Sequence, residues 1–575
     1  MAKALLSGNE AVARGAYEAG LAFAAAYPGT PSTEILENIA LYKQINAQWS
    51  PNEKVAFEVA MGASFGGVRS LVAMKHVGLN VAADPMFTSS YVGVNGGFVI
   101  VSADDPGMHS SQNEQDNRRY AKFAKMPMLE PSDSQEAKDF VGFALEISER
   151  FDTPVLLRLT SRICHSKGVV TLRRRRRVAR KAYIKDVRKR LIIPLHARVR
   201  HGVVEQRLKK LERFSERTPL NRIERGSPEI GVVTSGVAYH YAREVFPQAT
   251  ILKLGFSFPF PRKLARKFAD MVKHIYVVEE LEPVLEEELA FLGIPAVGKE
   301  RIPVEGELNP QLVREAFFGA HRQRSTHPQA VGRPPVLCPG CPHTGLFYTL
   351  KRLKIGATGD IGCYTLGALP PLNAMDTCIC MGASIGNALG MEKALGQEGA
   401  EKIVAVIGDS TFLHSGMTGL LDVVYNRGTT TVIILDNRTT AMTGHQEHPG
   451  TGRTLKGEPS TEVHLEAICR ALGVRHVRAV DPHDLKATRK AVKEAVQRPE
   501  PSVIIARRPC VLLKEYQVTR KPLSVDADVC TGCGLCLELG CPAILRREDG
   551  RAQIQHLFCI GCGLCQQVCA KGAIG

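Results

Sequence analysis

Eight cysteines near the carboxyl end constrain this chain more than any other feature. They form two similar groups, each with three cysteines two residues apart and a fourth soon after. The groups are Cys530, Cys533, Cys536 and Cys541, then Cys559, Cys562, Cys565 and Cys569. Three such thiolates bind one [4Fe-4S] cube, and the fourth crosses to a second cube. The pattern therefore predicts two [4Fe-4S] clusters within residues 520–575.

The crossing decides which cysteines share a cluster. We expect Cys530, Cys533, Cys536 and Cys569 to bind cluster 1, and Cys559, Cys562, Cys565 and Cys541 to bind cluster 2. Two zinc sites are the alternative, but the third thiolate of each group follows too closely for the usual tetrahedral spacing. A four-residue gap before Cys541 and an alanine at position 570 depart from the common pattern without removing a ligand. The segment is thus expected to be a small α+β domain of the bacterial two-cluster ferredoxin type.

A second motif lies where two apolar runs end. Residues 402–407 lead into Gly408-Asp409-Ser410, and residues 431–436 lead into Asn437, 28 residues after Asp409. We interpret the runs as parallel strands joined by a helix over 412–425, which places both polar side chains at one sheet edge. These oxygens and the backbone of Thr439 suit Mg²⁺ that also holds a diphosphate, and the spacing indicates thiamine diphosphate. A Gly-Asp turn without any ligand is the alternative.

Residues 1–165 have the pattern of an α/β domain. A helix is expected over 11–22, followed by a strand over 22–26 and a loop over 27–33 that can present hydroxyls and amides to an anion. A helix of small residues then carries Glu58, which either pairs with Lys54 on the helix surface or has a functional role. Strands are expected over 98–102 and 154–160.

The rest of the chain divides by composition. At 575 residues it is too long for one core, so several domains are expected. Residues 166–226 are interpreted as a basic linker or insert, 227–325 and 336–515 as two further three-layer α/β domains, and Ser325–Pro335 as a linker rich in proline, glycine and polar residues.

The net charge of +16 is concentrated in one segment. Residues 171–226 contain 20 lysines and arginines against five acidic residues, including the run Arg173–Arg177. The segment has few aromatic residues and no nucleic-acid-binding motif, so a solvated linker or a surface that docks an acidic protein is favoured over nucleic-acid binding.

Another group of cysteines lies outside the tail. Cys338-Pro339-Gly340-Cys341 forms one pair, and Cys363 and Cys510 lie further along. Scattered thiols are often small buried residues. The close pair instead suggests two ligands of a third cluster or a redox pair.

The sequence predicts a cytoplasmic protein. It has no run of 18 uncharged apolar residues that could span a bilayer, and the apolar stretch at its start is too short for a signal peptide.

Long strings of residues resemble the 2-oxoacid:ferredoxin oxidoreductases, and among them the large subunits of the indolepyruvate enzymes. They are YPGTPSTEI (27–35), MKHVGLN (74–80), SADDPG (102–107), CPGCPH (338–343), GDSTFLHSG (408–416), LDNRTTAMTGHQ (435–446) and the cysteine tail. The resemblance covers the whole chain. It implies transketolase-like thiamine diphosphate domains: a pyrimidine-binding domain over 1–165, a transketolase C-terminal-like domain over 227–325 and a diphosphate-binding domain over 336–515.

The resemblance also implies roles for single residues. Glu58 matches the glutamate that meets N1′ of the cofactor, and Thr30 matches a threonine that faces the substrate. Arg118 or Arg119 matches, more weakly, an arginine that meets the substrate carboxylate. Gly408, Asp409, Ser410, Asn437 and Thr439 match the cofactor-binding residues, of which Asp409, Asn437 and the Thr439 carbonyl match the magnesium ligands. Cys338, Cys341, Cys363 and Cys510 match the ligands of a third [4Fe-4S] cluster in related pyruvate and 2-oxoglutarate enzymes.

The activity implied is the oxidative decarboxylation of aryl 2-oxoacids (indolepyruvate, phenylpyruvate, 4-hydroxyphenylpyruvate) to aryl-acetyl-CoA and CO₂, with coenzyme A as co-substrate and ferredoxin as electron acceptor. A small second (beta) subunit in an α₂β₂ assembly is implied as well, with no nucleic acid or membrane partner. Branched-chain or other 2-oxoacids are alternative substrates, and a non-oxidative thiamine-dependent decarboxylase is the alternative enzyme.

Overall fold

The computed structural model of the chain describes residues 2–319, 335–516 and 521–575. These residues form two compact units, with 2–319 in the first and the remainder in the second. The predicted linker Ser325–Pro335 lies outside the described residues except for Pro335. Within the described part of the chain, no helix is both long enough and apolar enough to cross a membrane.

The first unit alternates strands and helices. Its strands are β1 Lys3–Ser7, β2 Phe23–Ala26, β3 Asn46–Trp49, β4 Ser70–Lys75, β5 Phe98–Asp104, β6 Met128–Leu129, β7 Val155–Thr160, β8 Lys167–Thr171, β9 Asn221–Glu224, β10 Ser227–Ser235, β11 Ala249–Leu254, β12 Phe256–Phe258 and β13 His274–Val278. Its helices are α1 Gly8–Glu18, α2 Thr33–Ala40, α3 Glu53–Phe65, α4 His76–Val81, α5 Ala83–Val92, α6 Arg118–Ala124, α7 Ser134–Phe151, α8 Ser161–His165, α9 Val187–Arg190, α10 Pro194–Ser215, α11 Ala238–Val245, α12 Arg262–Ala269, α13 Val284–Phe291 and α14 Pro310–Phe318.

Two larger sheets organise this unit. The seven-stranded sheet has the order β12-β6-β7-β5-β4-β2-β3, and only β12 and β6 are antiparallel neighbours. Strands β5 and β7 are buried along their whole length, as expected for a parallel sheet covered on both faces. The four-stranded sheet has the order β13-β10-β11-β9. Loops at the carboxyl ends of the parallel strands of each sheet therefore share one edge.

Helix α1 begins earlier than predicted. It starts at Gly8 rather than Ala11 because Ser7 and Glu10 form a capping box, in which each side chain accepts a hydrogen bond from the other's backbone N–H. Strand β5 is longer than predicted because it pairs with β7 as far as Asp104 and Thr160.

The basic segment lies on the first unit along much of its length. Strand β8 pairs with β1, and the backbone N–H groups of Arg176 and Lys181 then donate to the carbonyls of Glu18 and Gly67. Arg190 lies over the ring of Phe65, with its guanidinium carbon 5.1 Å from the ring centre. The 22-residue helix α10 follows. The basic segment is therefore packed on the surface of the first unit and is not a free linker.

The second unit contains the diphosphate-binding fold and the cysteine tail. Its strands are β14 Gly356–Gly359, β15 Thr377–Cys378, β16 Ile403–Gly408, β17 Thr431–Asp436, β18 His476–Val480, β19 Ser502–Arg507, β20 Ile544–Arg546 and β21 Ala552–Ile554. Its α-helices are α15 Pro342–Leu353, α16 Ala383–Leu395, α17 Gln397–Lys402, α18 Asp409–Thr411, α19 Met417–Tyr425, α20 Leu465–Ala471, α21 Leu485–Val496 and α22 Leu564–Val568.

A six-stranded parallel sheet forms the centre of this unit, in the order β15-β14-β16-β17-β19-β18. The predicted strand over 431–436 is confirmed as β17, and so is its parallel pairing with β16. The predicted helix over 412–425 is a π-helical turn, Phe412–Gly416, followed by α19. One hydrophobic core includes Ile433 of the sheet together with Leu539 and Leu564 of the tail, so the tail packs directly on this domain.

Candidate active site

Asp409 and Asn437 lie together at the carboxyl-end edge of the six-stranded sheet. Asp409 is 3% exposed, and its two oxygens accept hydrogen bonds from the backbone N–H groups of Ser410, at 2.8 Å, and Arg438, at 2.9 Å. Because Arg438 directly follows Asn437, the second bond joins the loop after β16 to the loop after β17. Thr440 Oγ1 joins them again by donating to Ser410 Oγ at 3.0 Å. The loops after β16 and β17, which the sequence predicts at one edge of the sheet, are therefore joined by hydrogen bonds.

His448 is a neighbour of Asp409 that the sequence did not indicate. Its Nε2 lies 3.3 Å from Asp409 Oδ2, and both side chains are 4% exposed. Its Nδ1 accepts a hydrogen bond from the Gly450 N–H at 3.1 Å, so a neutral ring carries its proton on Nε2, the nitrogen nearer Asp409. Burial acts to raise the pKa of Asp409, but His448 and the two N–H donors outweigh burial and hold the pKa below its ordinary value.

A third loop completes this edge. Asp360, which follows β14 and is fully buried, accepts hydrogen bonds from the backbone N–H groups of Gly382, at 2.9 Å, and Ser384, at 3.1 Å. These bonds fix the start of the 13-residue helix α16 and occupy amides of its first turn. Gly382 has φ of +91°, and a Cβ atom there would lie 2.6 Å from Ser415 Cβ, so only glycine fits this approach.

The donor set at this edge fits a metal-bound diphosphate. It contains the Asp409 carboxylate, the Asn437 side chain and the backbone of Thr439. The N–H groups of Gly382, Ala383 and Ser384 at the start of α16 already donate to other groups of the protein. Sequence reasoning identified the donor set and missed Asp360 and the Gly382–Ser384 turn. A glycine-rich turn before a helix was the available signal, but its connection to Asp360, 22 residues earlier, depends on the fold.

In the first unit, Glu58 does not line the cavity that Thr30 lines. Glu58 is on α3, where its partly exposed carboxylate forms an ion pair with Lys54 one turn earlier. Thr30 lines an open cavity of about 420 Å³ at the carboxyl-end edge of the seven-stranded sheet. Arg162 and His165 of α8 line the same cavity, and Arg162 donates to Glu307 through Nε at 2.9 Å and Nη2 at 2.7 Å. Sequence reasoning did not single out Arg162 or His165.

Arg118 and Arg119 occupy very different environments, and neither lines the cavity at Thr30. The Arg118 side chain is 1% exposed and pairs with Asp116 at 2.5 Å and Glu279 at 2.6 Å. It also donates to the carbonyls of Glu280 and Glu282. The Arg119 side chain is 37% exposed and pairs with Glu282 and Glu287. Arg118 thus ties the loop after β5 to the segment after β13.

The eight tail cysteines surround two cavities. One cavity is lined by Cys541, Cys559, Cys562 and Cys565, and the other by Cys530, Cys533, Cys536 and Cys569. These are the same groups of four that the crossing pattern assigns to cluster 2 and cluster 1. Gly532, Gly534, Gly561 and Gly563 all have positive φ, which lets the backbone curve around the cavities.

Backbone amides also point at these thiols. Leu523 N–H donates to Cys559 Sγ at 3.4 Å, and Ala573 N–H donates to Cys569 Sγ at 3.2 Å. Among residues 2–319, 335–516 and 521–575, no three cysteine, histidine or acidic side chains converge as the ligands of a single ion would. A cube presents a separate iron to each thiolate, so thiols arranged around a cavity fit it.

Cys338, Cys341, Cys363 and Cys510 are also close together. Burial raises the pKa of Cys341 well above its ordinary value, and the neighbouring thiols of Cys338, Cys363 and Cys510 raise it further. Burial likewise raises the pKa of Cys363 to about 11, with Cys510 and Cys338 adding to the effect. Four thiols from three distant parts of the sequence are therefore near enough to influence one another, and the Cys510 N–H donates to the Asn437 carbonyl at 3.0 Å, at the edge where Asp409 lies.

Three family models match the chain. Residues 14–209 match "Pyruvate flavodoxin/ferredoxin oxidoreductase, thiamine diP-bdg", and residues 360–506 match "Thiamine pyrophosphate enzyme, C-terminal TPP binding domain". Residues 522–570 match "4Fe-4S dicluster domain". Both units thus contain a thiamine diphosphate-binding fold, and the tail is a 4Fe-4S dicluster domain, as the sequence predicted.

Several curated proteins are similar over nearly their whole length. The indolepyruvate oxidoreductase subunit IorA of Methanothermobacter marburgensis is 42% identical over 99% of this chain and 96% of that protein. The subunits of the same name from Archaeoglobus fulgidus and Pyrococcus horikoshii are 40% and 41% identical, over 100% and 99% of this chain and 97% and 96% of those proteins. The similarity therefore extends over both units and every site described above.

Proposed function

Because the chain belongs to the indolepyruvate oxidoreductase IorA family, we propose that it catalyses the ferredoxin-dependent oxidative decarboxylation of aryl 2-oxoacids to aryl-acetyl-CoA and CO₂. One observation carries the proposal: the loops that suit a diphosphate and the two four-cysteine cavities belong to a single unit with one hydrophobic core. A non-oxidative decarboxylase would need the loops but not the cysteines.

The loops of the second unit hold the cofactor in this proposal. Asp409, Asn437 and the Thr439 carbonyl bind Mg²⁺, and Gly408 and Ser410 bind the diphosphate. Bound thiamine diphosphate supplies the electron sink for decarboxylation of a 2-oxoacid. The residues of this edge hold and orient it, and His448 keeps the Asp409 carboxylate in place.

The first unit supplies Glu58 and Thr30. Glu58 accepts a hydrogen bond from the cofactor's pyrimidine ring once its carboxylate leaves Lys54, and its partial exposure on α3 leaves it open to a neighbouring surface. Thr30 faces the substrate. We propose that Arg162, rather than Arg118 or Arg119, binds the substrate carboxylate, because it lines the cavity at Thr30. Its guanidinium already donates two hydrogen bonds to the carboxylate of Glu307, which shows the geometry such binding needs.

The cysteines provide the electron path. The cavity with Cys541 holds cluster 2, and the cavity with Cys533 holds cluster 1. A third [4Fe-4S] cluster bound by Cys338, Cys341, Cys363 and Cys510 lies between the thiamine site and cluster 2. A small second subunit completes an α₂β₂ enzyme, coenzyme A accepts the acyl group, and ferredoxin accepts the electrons.

The test is anaerobic co-expression with the small subunit, followed by coenzyme A-dependent viologen reduction with a panel of 2-oxoacids. Aryl 2-oxoacids are expected to react fastest. Faster turnover of branched-chain acids would refute the substrate class. Release of CO₂ without dye reduction would instead indicate the non-oxidative decarboxylase.

A further inference from the structure

The walls of the cavity at Thr30 contain more negative than positive groups. Two carboxylates line it, those of Asp105 and Glu307, and Arg162 is the only lysine or arginine among the described residues that do so. Two histidines line it as well, but a histidine adds positive charge only when it is protonated. A ligand in this cavity therefore meets one permanent cation and two carboxylates.

Asp105 is kept as a carboxylate by neighbouring donors. Its Oδ2 accepts hydrogen bonds from the Ser110 N–H at 2.8 Å and the Ser111 hydroxyl at 2.7 Å, and its Oδ1 accepts one from the Ser161 hydroxyl at 2.6 Å. Burial acts to raise the pKa of Asp105, but these three donors and Lys75 outweigh burial and hold the pKa below its ordinary value. The negative charge of Asp105 is thus present at neutral pH.

Glu307 holds part of the Arg162 guanidinium. Its carboxylate accepts from Nε at 2.9 Å and from Nη2 at 2.7 Å, which makes a bidentate pair. The pair uses two of the five guanidinium N–H donors, and Tyr241 also lies beside the group. The Arg162 side chain is 47% exposed, so its remaining donors can bind one carboxylate of a ligand in the cavity.

A second carboxylate on the same ligand would find no permanent cation among the described residues that line the cavity. Lys75 lies outside this lining, and its ammonium donates to the Ser110 carbonyl at 2.8 Å. His109 Nε2 lies 3.6 Å from Glu307 Oε2, so protonation of His109 would mainly offset the charge of Glu307. Like charges a few ångströms apart repel, so a second ligand carboxylate beside Glu307 is unfavourable.

We propose that Glu307, with Asp105, makes this cavity select 2-oxoacids that have a single carboxylate. The proposal rests on the proposed function, because it takes the cavity at Thr30 as the substrate site. Arg162 binds the carboxylate beside the keto group. A side chain that ends in a second carboxylate is repelled by Glu307, whereas an uncharged side chain is not. Glu307 thus determines specificity and takes no part in the bond-breaking step.

The test compares phenylpyruvate, which has one carboxylate, with 2-oxoglutarate, which has two, in the coenzyme A-dependent viologen assay of the assembled enzyme. The assays run at pH 8, because protonated histidines would add positive charge to the cavity. Glu307→Gln removes one negative charge and keeps an acceptor for Arg162. It is expected to raise kcat/KM for 2-oxoglutarate, relative to that for phenylpyruvate, by about tenfold.

Two further variants separate charge from shape. Glu307→Asp retains the carboxylate and should reject 2-oxoglutarate as the wild type does, even if the shorter side chain lowers overall activity. Glu305→Gln removes a charge from an exposed position in the same segment, outside the cavity lining, and should leave the ratio of the two kcat/KM values unchanged.

Inhibition constants measure binding without turnover of the inhibitor. Phenylacetate and glutarate have one and two carboxylates and no keto group, and both are tested as inhibitors of phenylpyruvate oxidation. Glu307→Gln should lower the inhibition constant of glutarate about tenfold relative to that of phenylacetate. Glu305→Gln should change neither constant.

The outcomes separate the specificity role from the activity itself. An equal change for both substrates in Glu307→Gln would show that Glu307 only orients Arg162, and it would overturn the proposal, as would an unchanged ratio. Rapid oxidation of 2-oxoglutarate by the wild type would overturn it too, while still supporting a 2-oxoacid oxidoreductase. No viologen reduction by the wild type with any 2-oxoacid would overturn the proposed function instead.

Discussion

His448 Nε2 approaches the same Asp409 oxygen that accepts the Arg438 N–H. The distance from Nε2 to this oxygen, Oδ2, is 3.3 Å, while the N–H groups of Ser410 and Arg438 donate to the two carboxylate oxygens. A carboxylate whose two oxygens each accept a backbone N–H, with a buried imidazole against one of them, has little freedom to rotate. The position of one magnesium ligand in our proposal is therefore set before any metal binds.

Removal of this contact should weaken metal binding. We expect His448→Ala to raise the dissociation constant for Mg²⁺, in the presence of thiamine diphosphate, by about 10- to 100-fold, since ligands that lose an orienting partner typically lose that much affinity. His448→Gln, which retains an N–H donor, should recover part of the loss. Calorimetric titration measures both constants. Asp409, His448 and His464 line one cavity, but His464 forms no ion pair or hydrogen bond with Asp409, so His464→Ala should change the constant little. Equal losses in the two alanine variants would contradict a positioning role for His448.

Arg118 and Arg119 should differ sharply in their effect on stability. Arg118→Met leaves Asp116 and Glu279 buried without their partner and is expected to cost about 3–5 kcal/mol. Arg119→Met breaks exposed ion pairs and should cost less than about 1 kcal/mol. The only tryptophan, Trp49, lies in the first unit, so its fluorescence during urea unfolding measures both effects. A stable Arg118→Met variant with a raised Michaelis constant for the 2-oxoacid would favour the substrate role implied by the family.

Much of the fold follows from local sequence signals. Strand β17 was predicted to the residue, because a continuous run of apolar residues, most of them β-branched, can be buried on both faces of a parallel sheet. The pairing of β1 with β8 joins residues more than 150 positions apart and has no such local signal. The path of the basic segment could not be predicted for the same reason, since it depends on acceptors such as the Gly67 carbonyl.

The candidate site was predictable to a similar degree. The two-cluster ferredoxin pattern grouped the eight tail cysteines as the cavities group them, because three ligands of each cluster fall at short intervals in one loop and the fourth comes from the other group. The partners of Asp409 were not predictable, because His448 reaches it only through the course of the loop after β17. For Arg118 the family resemblance implied a contact with the substrate. In the structure its side chain is instead surrounded by acidic and carbonyl groups of the protein.

Substitutions in the ion pair of Lys54 and Glu58 test whether Glu58 has a catalytic role or only a surface role. Lys54→Gln removes the pair but keeps the carboxylate, so activity should stay within about twofold of the wild type, and stability should fall by only about 0.3–0.5 kcal/mol for an exposed helical pair. Glu58→Gln removes the same pair and should lower turnover by about 10²- to 10⁴-fold. Viologen reduction and Trp49 fluorescence measure the two quantities. If both variants retained full activity, Glu58 would be a surface residue only.

The iron content tests the third cluster. The anaerobically reconstituted chain should bind about twelve iron atoms, four for each cluster, and Cys338→Ser should lower this to about eight. Cys380→Ser is the matched control, because Cys380 is an exposed cysteine of the same domain outside the proposed ligand set. About eight iron atoms in the wild type would refute the third cluster and leave the two tail clusters unaffected.

The stability of the first unit should depend on pH through Glu280. Burial raises the pKa of Glu280 to about 7 from its ordinary value of 4.5, although Arg158 and the Leu308 N–H act in the opposite direction. Between these values the folded state binds more protons than the unfolded state, so stability is greatest below about pH 4.5 and falls as the pH rises towards 7. The shift corresponds to a loss on the order of 3 kcal/mol. Glu280→Gln should therefore unfold at a higher urea concentration than the wild type at pH 8 and show no such advantage at pH 5, as measured by Trp49 fluorescence. Glu305 is exposed, so Glu305→Gln should leave the difference in stability between pH 5 and pH 8 as it is in the wild type. If Glu280→Gln were instead less stable than the wild type at pH 8, the Glu280 carboxylate would be stabilised by its partners more than burial destabilises it.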